Sequence, residues 1–337
     1  MDSMNKKRGQ QSIIFAAPPV ITSTANIVGP MEGDGVLTEF YDRILEDNLD
    51  GNDSWEQCES CMMEWAIRTA VAKDSSVLTD VDYVLAGDLL NQLMSTHFAL
   101  RNVGRPFLGM YGACSTLAES MLVGSALIDG GFANKVVTCV SSHHDTAERQ
   151  YRFPTELGVQ RPLVSQWTVA GSGAVVISAN GKGPRITAAT VGKIVDIGLK
   201  DPNAMGPAMA PAAADTLWCH FDDTGRPPDY YDMIYTGDLG SIGKALVIKL
   251  FEEKGIDIST NYEDCGCMIF KEEQDPHAGA SGCASSAIVF TGYIYRLLQQ
   301  RKLHKILLVG TGSLHSTTSY QQKESIPCIA HAVAVEI

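Results

Sequence analysis

No run of about 18 apolar residues occurs anywhere in the chain, so no segment reads as a bilayer-spanning helix. Positive charge is scarce. Twenty-six Lys and Arg stand against 39 Asp and Glu, for a formal charge of −13. Nucleic acid and bare anionic membrane both need a cationic face, so neither is expected as the main partner. A signal peptide is not expected either: Lys6, Lys7 and Arg8 precede Ile13, Ile14 and Phe15, but Pro18 and Pro19 cut the apolar run short. The nine cysteines are an odd count in a long chain and read as reduced thiols of a cytoplasm-like compartment. What remains is a globular composition, 45% hydrophobic and 19% charged, which excludes a disordered or fibrous chain. The 337 residues suit two compact units or one doubled unit with a well-buried core.

The chain repeats itself. Asp82-Tyr83-Val84-Leu85-Ala86-Gly87-Asp88-Leu89 resembles Asp232-Met233-Ile234-Tyr235-Thr236-Gly237-Asp238-Leu239, 150 residues on. Each is a short apolar run closed by Gly-Asp and followed by a helical pattern. Gly112-Ala113-Cys114-Ser115-Thr116 opens a helical stretch to Asp129, and a strand follows from Asn134 to Val140. Gly282-Cys283-Ala284-Ser285 does the same up to Arg301, before a strand from His304 to Gly310. A third pair, Val20-Ile21-Thr22-Ser23 and Arg185-Ile186-Thr187-Ala188, fits the first strand of each half. Three pairs in one order favour duplication over chance likeness of strand–helix units. The predicted halves are 1–183 and 184–337, joined at the turn from Ala179 to Pro184. Their alternation of strand and helix predicts parallel sheets with crossover helices. His143 to Gly158 reads as a polar insertion, Pro202 to Pro211 as a loop, and Ala212 to about Phe221 as a helix.

Cys114 carries the strongest chemical signal. It lies on a tight turn between Pro106–Met110 and a helix, where Gly112 and Ala113 leave room for a sharp bend. A thiol at a helix N-terminus sits in positive potential, which favours thiolate and predicts a lowered pKa. That geometry suits a nucleophile, and it equally suits an anion site without covalent chemistry. A small buried core residue is the plain alternative. Asp88 and Asp238 are related by the repeat. Two helix caps are favoured for them over a carboxylate pair across a pseudo-twofold. Cys58 and Cys61 fall on one face of a helix expected from Ser54 to about Lys73. With Cys265 and Cys267 they match no familiar zinc module, so no metal and no cofactor is expected. Gly171-Ser172-Gly173 precedes a strand and is no dinucleotide loop.

These features resemble the thiolase superfamily: two halves of duplicated topology, with a cysteine at a strand-to-helix turn in the first. Gly171-Ser172-Gly173-Ala174-Val175-Val176 resembles the glycine-rich strand entry of its ketoacyl-synthase-III-like branch. More specific strings resemble the stage V sporulation AD family of endospore-forming bacteria. They are Leu85 to Gln92, Gly112 to Thr116, Thr146 to Gln150, Ala208 to Thr216 and Gln322 to Pro327.

The resemblance implies an α/β protein with a duplicated, thiolase-like αβαβα layered fold and two pseudo-symmetric halves. It implies a part in moving dipicolinic acid (pyridine-2,6-dicarboxylate), free or as its calcium chelate, into the forming spore. The chain would be the ligand-binding member of a channel complex, peripheral on the inner spore membrane, beside integral membrane SpoVA proteins. A homodimer is expected by analogy alone.

A condensing enzyme of that branch also needs a His and an Asn from the second half. The resemblance aligns Asp238 with the His and Ala280 with the Asn, so both partners read as lost. His143 and His144 could still approach Cys114 for acyl transfer, or be solvated loop residues; His277 and His315 are further candidates. For a dianionic aromatic ligand the expected contacts are Cys114, Ser115, His143, Asp88, Asp238 and Arg149. Arg152 and Arg161 could add charge, and Tyr111, Tyr151 and Phe153 could flank a ring. Local salt bridges, for instance to Glu148, are the plain alternative for the arginines.

Overall fold

The computed structural model describes residues 6–151 and 161–337. Ten strands build two five-stranded sheets. In the first half they are β1 (Val20–Val28), β2 (Tyr83–Gly87), β3 (Phe107–Gly109), β4 (Lys135–Ser142) and β5 (Gly171–Ser178). In the second they are β6 (Arg185–Thr190), β7 (Met233–Thr236), β8 (Tyr262–Asp264), β9 (Lys305–Ser313) and β10 (Cys328–Glu336). The spatial order is β1-β5-β4-β2-β3, then β6-β10-β9-β7-β8, the same permutation twice. The two sheets meet edge to edge where Val20 pairs with Arg185, and the short strand Ser12–Ile14 of the first half also pairs with β6.

The sheets are mixed, which corrects the expectation of parallel ones. β5 runs antiparallel to both β1 and β4, and β10 antiparallel to both β6 and β9. Only the β4-β2-β3 and β9-β7-β8 portions are parallel. The physical reason lies in the connections. Among the described residues the only helices in the links into β5 and β10 are the short His144–Tyr151 and Thr317–Gln321, and each last strand returns beside the one before it.

Eight helical pieces cover these sheets: α1 (Trp55–Lys73), α2 (Met94–Val103), α3 (Thr116–Asp129), α4 (His144–Tyr151), α5 (Met205–Thr224), α6 (Gly240–Glu252), α7 (Cys283–Ile288) and α8 (Tyr295–Gln299). A π-helical turn, Val289–Ile294, joins the last two. Ser54 caps α1, its hydroxyl accepting from the Gln57 N–H. Helix α5 begins at Met205, earlier than expected, and carries Pro211 inside it. Pro211 lies near the start of the helix and lacks an N–H, so it removes the bond that Pro207 would accept without ending the helix.

Strand periodicity sorts the core into layers. Ala174 and Val176 of β5 pack with Met62, Met63 and Ile67 of α1, whereas Val175 and Ile177 face the middle layer. In β9, Leu307 and Val309 pack with α5, while Ile306 and Leu308 face inward. The middle layer holds Leu117 and Met121 of α3 beside Ala284, Ala287 and Ile288 of α7, in one core with residues of both sheets. The result is five layers in the order αβαβα.

Several carboxyls are buried in this frame. Glu59 of α1 accepts from Ser141 at the end of β4 (3.0 Å) and from Thr146 of α4 (2.9 Å). Burial pushes Glu59 up to about 8, and Glu32 and Asp264 up to about 7. A raised folded-state pKa means that the unfolded chain releases its proton first. The stability these groups contribute is therefore complete below the ordinary carboxylate range and declines as pH climbs through about 5 to 8. We expect the urea midpoint to be higher at pH 5.5 than at pH 8.5. Glu59→Gln, which mimics the protonated acid, should shrink that difference by on the order of 2 kcal/mol. An undiminished difference in the variant would remove Glu59 as its source.

Candidate functional site: a cleft over a buried thiol

The cysteine turn is built from its own backbone. Ala113 adopts a left-handed conformation (φ 51°), which a non-glycine residue reaches only at some cost. The Ser115 hydroxyl donates to the Gly112 carbonyl (2.6 Å), and the Thr116 hydroxyl donates to the Ala113 carbonyl (2.6 Å). The Gly112 N–H donates back to Thr116 Oγ1 (3.0 Å). The second half presses directly on this turn. A Cβ on Gly312 of β9 would stand 2.1 Å from the Gly112 carbonyl oxygen, so only glycine fits there.

Behind the thiol lies Asp238. It follows β7 and is fully buried. Its carboxylate accepts from the Gly282 N–H (3.0 Å) and from the Thr311 hydroxyl (2.7 Å), and the Cys114 thiol lies beside it. Gln166 holds the loop in place, its Nε2 donating to the Asp238 carbonyl (2.7 Å) and the Ala280 carbonyl (2.8 Å). Asp238 is therefore no helix cap. Burial pushes its carboxyl up to about 6, with these three groups acting in the other direction. Burial also pushes the Cys114 thiol well above the ordinary thiol range; the Asp238 charge and neighbouring Cys283 add to the effect. The expectation of a lowered thiol pKa is thus overturned. The helix terminus is present, but desolvation and an adjacent carboxylate outweigh its field. Cys283, the repeat mate of Cys114, donates to the Ala113 carbonyl (3.1 Å) from the start of α7.

A cleft of about 420 Å³, counting its open mouth, leads down to Cys114. Its walls carry the side chains of Tyr111, Tyr151, Thr168, Ser281, Ser313 and His315, with Leu89, Ala147, Met205 and Gly282 between them. Thr168 and Ser281 belong to a small parallel strand pair, Trp167–Thr168 with Ala280–Ser281, that brings both halves to the cleft. No lysine or arginine lines it among the described residues.

Of the residues expected here, Cys114, Tyr111, Tyr151 and His315 line the cleft, and Asp238 touches the thiol from behind. Ser115 is spent on closing its own turn. Asp88 is not the N-cap residue expected, since Leu93 holds that place before α2; its carboxylate instead accepts from the Leu90 N–H and, at 2.7 Å, from the Thr96 N–H of α2, which fixes the loop bearing Leu89. His143 is buried elsewhere; its Nε2 donates to the Asn48 carbonyl (2.9 Å) and its Nδ1 accepts from the Asp145 N–H (3.2 Å). His144 stacks on Trp167, 3.8 Å between ring centroids. Neither histidine lines the cleft. Arg149 is half-exposed, pairs with Glu56 of α1, 93 positions away in sequence, and lies over the Trp55 ring; it does not line the cleft. Arg161 lies over Trp167. Arg152 and Phe153 lie outside the described residues. Ala280 is buried in the strand pair, and it is Ser281 and Gly282 that reach the cleft.

Ser313 and Ser281 carried no motif. The repeat was their one signal, since Ser313 ends β9 as Ser142 ends β4. Cys58 is buried and Cys61 exposed on α1, and the described residues contain no cluster of three or more His, Cys, Asp or Glu able to hold a metal.

Asp238→Asn keeps the shape and removes the charge beside the thiol. We expect iodoacetamide to alkylate Cys114 several-fold faster in the variant than in the parent at pH 8, measured on the Cys114 peptide by mass spectrometry. An equal or slower rate would show that burial alone controls the thiol.

Comparison with known proteins agrees with this frame. Residues 9–336 match the family model for stage V sporulation protein AD (SpoVAD). The chain is 46% identical over 331 residues to stage V sporulation protein AD of Bacillus subtilis, covering 98% of each. Among solved structures, a variant of OleA from Xanthomonas campestris superposes with a TM-score of 0.64 at 15% identity, over 96% of this chain and 99% of that one. The 3-oxoacyl-[acyl-carrier-protein] synthase III of Aquifex aeolicus gives 0.59 at 11% identity, over 95% and 100%. At such identities these two share the thiolase-like fold and nothing more is taken from them. The family match over nearly the whole length, with the kinship to the Bacillus protein, shows that the chain belongs to the stage V sporulation protein AD family.

Proposed function

We propose that this sporulation protein binds dipicolinic acid, free or as its calcium chelate, in the Cys114 cleft and serves its uptake into the spore. The observation that carries the reading is the contact between Cys114 and Asp238. A thiol set beside a buried carboxylate, and held well above its usual pKa, is a poor nucleophile at neutral pH. An ionised carboxylate also offers no hydrogen bond to a developing oxyanion. What is left is a small cleft with hydroxyl groups on several sides that can donate to a carboxylate. Among the described residues no helix is long and apolar enough to cross a membrane. Integral membrane SpoVA proteins would then hold the chain at the inner spore membrane.

A second reading has one observation in its favour. His315 places an imidazole from the second half in the wall above Cys114, where an acyl-transfer enzyme would use one. Incubation with short acyl-coenzyme A followed by intact-mass measurement separates the two, because a stable adduct on Cys114 would favour the enzyme.

Calorimetry of the pure chain with pyridine-2,6-dicarboxylate tests the binding reading. Saturable heat is expected, and Cys114→Trp, which fills the cleft, should weaken affinity at least tenfold. Unchanged affinity in the tryptophan variant would place the ligand elsewhere.

A further inference from the structure

Asp238 is an anion that the chain supplies to its own cleft. The Gly282 N–H and the Thr311 hydroxyl, donors that could serve an incoming carboxylate, are already directed at it. Gly282 lines the cleft, as does Cys114, whose thiol lies beside the carboxylate, so Asp238 lies immediately behind the wall. The titratable groups facing it come from every neighbouring element. They are Cys114 from the turn before α3, Cys283 from α7, Asp264 and Cys265 at the end of β8, and Cys328 from β10. None of these is a cation. Asp264 is turned towards the start of α6, accepting from the Leu239 and Gly240 N–H groups (both 2.9 Å). Among the described residues, His315 is the one imidazole lining the cleft.

A carboxylate seated against Cys114 and Gly282 therefore brings a second negative charge to a wall that offers the first no countercharge. Two carboxylates in such a place take up one proton in preference to both ionising. We propose that the cleft is proton-coupled: an anionic ligand enters together with one proton, which Asp238 takes up behind the wall. The inference rests on the binding reading above. Burial has already raised the Asp238 carboxyl to about 6, so a second charge loads it within the neutral range. Such coupling makes affinity for the diacid a function of local pH, with tighter binding on the acidic side.

Calorimetry of the full chain with metal-free pyridine-2,6-dicarboxylate, in phosphate and in Tris at pH 7.5, counts the protons through the two buffers' different ionisation heats. About one proton should be taken up per ligand. Affinity should fall by up to about tenfold per pH unit between pH 6.5 and 8, a range in which the free ligand stays dianionic. In Asp238→Asn the uptake should drop towards zero and the pH dependence flatten. Buffer-independent heats with normal affinity would overturn the coupling and leave the binding reading standing. No binding at any pH, checked by equilibrium dialysis, would remove both. An unchanged proton count in the asparagine variant would assign the proton to His315 or elsewhere and overturn the role of Asp238; so would total loss of binding in a folded variant, because the carboxylate would then be a contact. Should the variant not fold, infrared difference spectra of the parent decide. A new protonated-carboxyl band on ligand addition supports the proposal, and its absence defeats it.

Discussion

The contact between the Cys114 thiol and the Asp238 carboxylate joins the two halves where their topologies mirror each other. Each partner depends on packing from the opposite half. The thiol is presented by a turn that Gly312 of β9 supports, and the carboxylate is steadied by Gln166, from the first half. Because both groups are buried, neither can be charged cheaply, and the pair sets the chemistry of everything that enters the cleft.

Much of the architecture was legible in the amino-acid sequence because it is written twice. The Gly-Asp strings end β2 and β7, the Lys135 and Lys305 runs are β4 and β9, and the two cysteine-led segments open α3 and α7. Strand direction was not legible. A fully buried strand reads as an apolar run whichever way it points, so β5 and β10 gave no sign of their antiparallel placement. The early start of α5 was hidden by Pro207 and Pro211, whose local preference for a loop is overridden by the burial of Met205, Ala208 and Met209.

The site was legible in its centre and obscure at its edges. Cys114 stood out through Gly112 and Ala113, which need the sharp turn, and Asp238 through its place in the repeat. The sign of the thiol's pKa shift was not readable, since it follows from burial and from a carboxylate 124 positions away. Arg149 looked like ligand charge because nothing in the linear order reveals that α1 brings Glu56 and Trp55 to it. His143 looked closer to the thiol than it is, for its ring is turned to the Asn48 carbonyl. His315 stood among several histidines of equal standing until the end of β9 placed it over the cleft.

The middle layer carries a consequence for how the molecule relates to its own duplication. Helices α3 and α7 each come from one half, yet their apolar side chains share a single core with strands of both sheets. Neither copy of the repeat could be cut away without leaving a bare sheet face and a half-clad helix in water. The ancestral unit survives as a pattern of connections and no longer as a separable module. Selection on either copy therefore acts on the whole body.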